Sequence, residues 1–266
     1  MSTTSTGSTR QPLFGLEIDA LTMDEVLARC DEALVTRDRL LVGVVNAAKV
    51  VNLHKDPILR ESLLEADVLL ADGQSVVWAS RVLRHPLPER VAGIDLFEGL
   101  LSRADVHGHS VYLLGARPDV LAALVTEITS RFPGLRIAGS RDGYFTPDEA
   151  QDVAADIAAS GADMLFLGMV SPKKETFLAA HGDALGVPVL HGVGGSFDVL
   201  AGVTRRAPRA WQRLGMEWAY RLVQEPGRLW RRYLTTNTVY LWLTLCELVR
   251  PTPVYRRSAE HGGTHG

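Results

Sequence analysis

Cysteine is scarce: Cys30 and Cys246 are the only two in 266 residues. Neither a disulfide framework nor a cysteine-based zinc site can be built from two distant thiols. A reducing cytoplasm is the simplest setting. The opening MSTTSTGSTRQP lacks an apolar h-region, so residues 1–12 read as a disordered tail and not as a secretory signal. Long hydrophobic runs are missing as well. The most apolar late stretch, 233–249, is interrupted by Thr235, Thr236, Asn237, Thr238, Thr244 and Glu247, and a bilayer span needs about 20 mainly apolar residues. Several chemical signatures are absent too. No two aspartates stand as Asp-x-Asp, which removes the usual motif for a nucleotide-sugar metal, and no histidines have the H-E-x-x-H spacing. The sequence thus carries no recognisable metal motif, and no cofactor is expected. An oxidoreductase reading lacks its G-x-G-x-x-G fingerprint, and an esterase reading lacks the G-x-S-x-G elbow.

What remains is ordinary globular composition, 46% hydrophobic and 22% charged, enough for one large domain or a domain with an appendage. The net charge of −3 hides a division. Residues 201–266 contain 11 Arg, no Lys, 4 Glu and no Asp, a net +7, which leaves −10 on residues 1–200. An arginine-only end on an acidic body suits a polyanionic partner, either phosphate groups or an anionic membrane surface. No nucleic-acid partner is expected, because the body is acidic and the basic end carries no recognisable module.

From Leu40 onward, short apolar runs at 40–45, 68–71, 111–114, 136–139, 164–168 and 187–190 read as strands. Helical patterns alternate with them at 47–54, 57–65, 74–83, 95–104, 118–131, 147–160 and 172–181, with Pro57, Pro118, Pro147 and Pro172 in first-turn positions. This alternation predicts an α/β fold, Rossmann-like, with a mainly parallel sheet and helices on both faces over residues 13–202. After Gly202 the alternation stops. An arginine-rich helical appendage follows over 203–250, with Trp211, Leu214, Trp218 and Leu222 on one apolar spacing, and 251–266 read as a second disordered tail.

Ligands of such sheets bind beyond the carboxyl ends of the strands, so the residues after each apolar run are candidates. Asp72, on a tight turn with Gly73, suits a general base or a ribose contact, and equally an Asx turn or helix cap. Arg90 could hold a phosphate bidentately or simply be solvated. The turn HGVGGSFD brings Gly192, Gly194 and Gly195 together, where backbone N–H groups can approach an anion or merely turn the chain. The segment from Ser171 to Glu175 opens a helix with Lys173 and Lys174, suited to a diphosphate or to solvent. Arg221, Arg228 and Arg231 share a face if their helix continues, although Pro226-Gly227 can break it. That stretch suits a basic, tryptophan-bearing flap on lipid headgroups, or a helix docked by Trp218 and Leu222 with a solvated arginine face. A non-catalytic peripheral membrane adaptor is one alternative.

These segments together resemble the WecG/TagA/CpsF glycosyltransferase family, glycosyltransferase family 26. The resemblance is carried by VVNAAKV, EADVLLADGQSVV, PERVAGIDL, VYLLGARPDV, SRDGYFTP, SPKKE, HGVGGSFDVLAG and RRAPRAWQRLGMEWAYRLVQEPGRLWRR, over roughly residues 14–235. It implies an inverting, metal-independent transferase. Such an enzyme moves a sugar, of N-acetylmannosamine type or a related hexose, from a UDP-sugar donor to a polyprenyl-diphosphate-linked sugar acceptor in cell-surface polysaccharide synthesis. The implied location is peripheral, at the cytoplasmic membrane surface. The resemblance assigns the base to Asp72, an active-site amide to Asn46, phosphate binding to Arg90, and the arginines that close over the site to Arg221, Arg228 and Arg231. Gly115, Lys174, Gly192, Gly194 and Gly195 fall to the donor side. Two positions depart from the family pattern: Val44-Val45-Asn46 stands where many members have Thr-Pro-Asn, and Lys174 where many have Gln. Both bear on donor identity more than on reaction type. Whether the chain forms a homo-oligomer is left open.

Overall fold

The computed structural model describes residues 9–213 and 215–256; residues 1–8, Leu214 and 257–266 lie outside the described residues. The chain starts with an antiparallel hairpin, β1 (Arg10–Leu13) and β2 (Leu16–Asp19). Phe14 and Gly15 join the strands with φ of 54° and 77°, the two left-handed residues that a tight hairpin turn requires. Leu13, Phe14, Leu16 and Ile18 are all buried. Arg10–Pro12 are therefore strand, where the sequence alone suggested tail. Helix α1 (Met23–Thr36) follows, opened by a capping box in which Thr22 Oγ1 accepts from Glu25 N and Glu25 Oε2 accepts from Thr22 N.

The body then alternates as its sequence pattern demands. β3 (Leu40–Val45), α2 (Ala47–Asn52), α3 (Pro57–Leu64), β4 (Val68–Ala71), α4 (Gln74–Val82) and α5 (Gly93–His107) form the first half. β5 (Ser110–Gly115), α6 (Pro118–Arg131), β6 (Arg136–Arg141), α7 (Ala150–Ser160), β7 (Met164–Gly168), α8 (Lys173–His181), β8 (Val189–Gly192) and α9 (Ser196–Leu200) complete it. The strands lie in the order β4-β3-β8-β7-β5-β6, and every pair is parallel. All six residues of β5 are buried, as expected where helices cover both faces of a parallel sheet. This is the α/β Rossmann-like architecture that the alternation predicts. On one face Phe97 packs edge-on to Phe166, ring centroids 4.7 Å apart, and tilted against Phe197 at 5.6 Å. Burying a side chain of this kind is worth about 1.5–3 kcal/mol.

Several local expectations shift. Pro57 and Pro118 do sit in first helical turns. Pro147 does not: the helix starts at Ala150, after a turn in which Glu149 Oε2 accepts from both Thr146 N and Thr146 Oγ1. Pro172 is a cap residue ahead of Lys173. The last strand begins two residues later than its apolar run, at Val189, since Pro188 cannot donate and instead offers its carbonyl to Leu40 N at 2.7 Å.

Three helices complete the described chain: α10 (Arg209–Arg213), α11 (Glu217–Gln224) and α12 (Pro226–Val249). The helix does break at Pro226. Glu225 has φ −134° and ψ 62°, so Arg221 lies on α11 and Arg228 and Arg231 on α12, and their spacing does not give one common face. α12 docks along α2, with Tyr240 buried against Phe14 (5.5 Å between rings) and donating to Ser75 O at 3.2 Å. Glu247, also buried, accepts from Phe14 N at 3.0 Å and from Thr252 Oγ1 at 2.5 Å. Beyond it, Tyr255 N donates to Gly15 O at 2.8 Å, and the Tyr255 hydroxyl lies 2.8 Å from His54 Nδ1. A side chain at Gly15 would meet the Tyr255 ring at 2.5 Å. Residues 251–256 are thus held against the hairpin, where the sequence alone suggested tail.

The two thiols occupy opposite environments. Cys30 is wholly buried and burial pushes its pKa up to about 12, whereas Cys246 is exposed on α12. Since the thiolate is the reactive form, a thiol-specific reagent at pH 8 should modify one cysteine rapidly, mapped by peptide mass to Cys246. Modification of Cys30 should wait for denaturant. Two equivalents titrating rapidly in the native protein would contradict this burial.

Candidate active site

Register brings the candidates to one end of the sheet. Val45 pairs with Ala71, so Asn46 and Asp72, the next residue on each strand, emerge side by side. Asp72 N donates to Val45 O at 2.9 Å, and a side chain at Gly73 would meet Asn46 Cβ at 3.4 Å. Asn46 caps α2, its Oδ1 accepting from Lys49 N at 3.1 Å. Asp72 Oδ1 accepts from Gly93 N at 3.1 Å, so the carboxylate meets the first backbone N–H of α5, where negative charge is favoured. Asp72 is half-buried and, unlike an Asx-type cap, leaves the start of α4 without a side-chain hydrogen bond.

Arg90 approaches the same mouth, because Val91 N donates to Ala71 O at 3.0 Å. Its guanidinium is only 12% exposed and already engaged. Nη1 lies 2.9 Å from Glu217 Oε2 on α11, and Nη2 lies 3.7 Å from Asp95 Oδ2 on α5. Arg90 is therefore not the solvated arginine that its place in a connection allows.

The glycine turn reaches this end through β8, where His191 pairs with Val42 on one side and Phe166 on the other. Val193 N closes the turn onto Leu167 O at 3.0 Å. Gly194 has φ +52°, and open space surrounds the places a side chain would take at Gly194 and Gly195. Gly192 is different: the Lys174 side chain lies over it, its Nζ 3.1 Å from where a Cβ would stand. Lys174 pairs at 3.1 Å with the buried Glu175, which Ser171 Oγ also contacts at 2.8 Å. Burial alone would raise the Glu175 pKa, but the Lys174 charge and the Ser171 hydrogen bond leave it lowered. Its Oε2 is buried with no hydrogen-bond partner in the described protein.

Gly115 has a packing reason for being glycine. With φ +130°, any side chain there would lie 2.5 Å from the Gly168 carbonyl carbon, and Ala116 N binds Gly168 O at 3.0 Å. Arg221 and Arg231 are exposed on α11 and α12, Arg231 stacking at 5.2 Å on Trp230. None of the described hydrogen bonds or ion pairs links either to Asp72. The Arg228 side chain lies outside the described ones.

Two neighbours of Asp72 take roles that the sequence reading did not give them, although His191 was among the residues expected to line the cleft. His191 is fully buried, with Nδ1 3.1 Å from Val42 O and Nε2 3.2 Å from Gly93 O, so it ties β3 to the start of α5. Burial holds its pKa down, and the Lys174 charge adds to this, against the two carbonyl contacts. Lys49 donates from Nζ to Val44 O at 2.7 Å. Burial, then the Lys174 charge, bring its pKa down to about 8, with Asp72 and Glu175 acting the other way. The only signal in the sequence is its position three residues after the Asn46 cap, which turns a long side chain back over the strand end. Among the described residues no group of three or more His, Cys, Asp or Glu is arranged to hold a metal ion. A cavity of about 400 Å³ lined by Arg10, Glu17, Asp67 and Tyr255 opens at the start of β4, the end of the strand opposite Asp72.

Lys49 makes stability depend on pH with a definite sign. Between pH 8 and its ordinary 10.5 the unfolded chain holds a proton that the folded one has released, so stability should rise with pH across that window. Between pH 7.5 and 9.5 the urea midpoint of wild type should rise relative to that of Lys49→Met. A pH-independent difference would mean that Lys49 keeps an ordinary ammonium.

Compared with known families, residues 11–253 match the model described as the glycosyl transferase WecG/TagA/CpsF family.

Proposed function

Because the chain belongs to the WecG/TagA/CpsF glycosyl transferase family, we propose that it moves a sugar from a UDP-sugar to a polyprenyl-diphosphate-linked sugar, with inversion. The acceptor hydroxyl attacks the anomeric carbon, Asp72 takes its proton, and UDP departs from the opposite face. The observation that carries this reading is Asp72 itself: a half-buried carboxylate at the carboxyl end of β4, anchored through one oxygen by Gly93 N, beside Asn46 and Arg90. Anchoring one oxygen orients the group and leaves the other for the proton. Negative charge develops on the leaving diphosphate, and the groups suited to it are Arg90, Lys174 and the backbone N–H groups of the Gly192–Gly195 turn.

The lipid-linked acceptor and a peripheral location at the inner membrane face are supported by the C-terminal helices. No helix among the described residues is long and apolar enough to cross a membrane. Yet α12 turns Leu234, Leu241, Trp242, Leu245 and Leu248 outward, each more than half exposed, on the three- and four-residue spacing of one helical face. With Trp230, Arg221, Arg228 and Arg231 near its start, this is the composition of a helix that lies in a headgroup layer. In this reading those arginines meet the acceptor diphosphate. The donor is of N-acetylmannosamine type or a related hexose, and the product enters cell-surface polysaccharide.

The test is UDP release from a set of UDP-sugars, with and without a polyprenyl-diphosphate sugar in detergent. One donor should release UDP only when acceptor is present. General base catalysis contributes roughly 10²–10⁴-fold, so Asp72→Asn should cut that rate by this amount and keep the wild-type melting transition. Vesicle binding without UDP release from any donor would replace the transferase with a membrane adaptor.

A further inference from the structure

Arg90 is not alone at its carboxylates. Arg206, in the connection between α9 and α10, places Nη2 2.5 Å from Asp95 Oδ1 and Nε 3.9 Å from Glu217 Oε1. Arg90 takes the other oxygen of each group, Asp95 Oδ2 at 3.7 Å and Glu217 Oε2 at 2.9 Å. Two guanidiniums thus face each other across the same two carboxylates. The arrangement is incompletely satisfied, since Arg206 Nε is buried and has no hydrogen-bond partner. Glu98, 3.8 Å from Arg206 Nη1, lies at its edge.

We propose that Arg90 and Arg206 form a two-arginine seat for the donor diphosphate, and that Glu217 occupies the seat at rest and is displaced when the diphosphate arrives. The inference rests on the transferase reading above, which gives Arg90 a phosphate. Two linked phosphate groups offer two guanidiniums what two carboxylates offer, with more charge and more acceptor oxygens for planar fork contacts. Asp95 is fixed in the first turn of α5 and stays. Glu217 is the group that can leave, because it opens α11, no residue of which is buried. Anion and carboxylate cannot share Arg90 Nη1, so binding of one opposes the other by the same factor. Arg221 lies one turn beyond Glu217, so release of Glu217 also frees that arginine to move with α11. Trp218, packed 5.8 Å from Tyr233, carries the change to α12.

Calorimetric titration with UDP and with inorganic pyrophosphate tests this. Glu217→Gln should bind UDP at least about fivefold more tightly than wild type, the lower end of ordinary coupling between sites. Arg206→Gln should bind it at least about tenfold more weakly, with pyrophosphate following the same order. If Arg90→Gln binds UDP as wild type does, the phosphate role of Arg90 fails and the seat fails with it. If Arg90→Gln loses affinity while Glu217→Gln gains none, the Arg90 role stands and displacement of Glu217 is overturned. If Arg206→Gln keeps wild-type affinity, the second arginine is overturned. Should a variant not fold, limited trypsin digestion of wild type decides. Saturating UDP should speed cleavage after Arg221, and slower or unchanged cleavage would overturn displacement.

Discussion

Parallel strands covered on both faces leave little room for polar side chains along their length, His191 on β8 being a buried exception, and the placement of the candidate site follows from that. β5 buries every residue it has, and β7 buries four of five. Side-chain chemistry is pushed to the strand ends. Because all six strands run the same way, the polar residues after β3, β4 and β8 arrive together. Asn46 and Asp72 are neighbours for that reason alone: the residues before them are a hydrogen-bonded pair of the sheet. The same crowding explains Gly115, whose backbone touches that of Gly168 on the adjacent strand.

Charge is arranged around this end with unusual economy of partners. Lys49, Lys174, Glu175 and His191 are each at least half-buried near Asp72; the Lys174 charge acts on the proton affinity of the other three, and Asp72 acts on that of Lys49 and His191. A buried charge without a partner is expensive, so such a group is stable only while its neighbours keep their charges. The Arg90–Glu217 contact is the clearest case, for the basic C-terminal region reaches the acidic body through one of its few glutamates.

α12 solves two problems with opposite faces. Inward, Tyr240 and Glu247 fasten it to the N-terminal hairpin, and Glu247 takes up the N–H of Phe14 from 233 residues away. Outward it shows leucines and tryptophans that the body does not cover. The inward anchor keeps that apolar face in a set position relative to α2 and its cap Asn46.

Local pattern was enough for the α/β class, the six parallel strands and most helix starts, because buried strands and first-turn prolines leave signatures within a few residues. Asp72, Asn46 and the glycine turn were legible by the same logic, as residues that follow apolar runs. The hairpin was not. Its strands are four residues long, one contains Pro12, and their stability comes from Tyr240, Glu247 and Tyr255 at the other end of the chain. The break at Pro226 was foreseeable, but its effect on the arginine face depended on the observed bend. Lys49, His191 and Arg206 lie in segments legible in the sequence, but their roles were not, since the partners that define them stand elsewhere along the chain, as Val42 does for His191 and Asp95 for Arg206. Sequence alone therefore determined the layers and the end of the sheet at which chemistry collects, because hydrophobic periodicity is a local property. Tertiary structure alone decided which charges meet there, because a Coulombic partner is chosen by distance in space and not by distance along the chain.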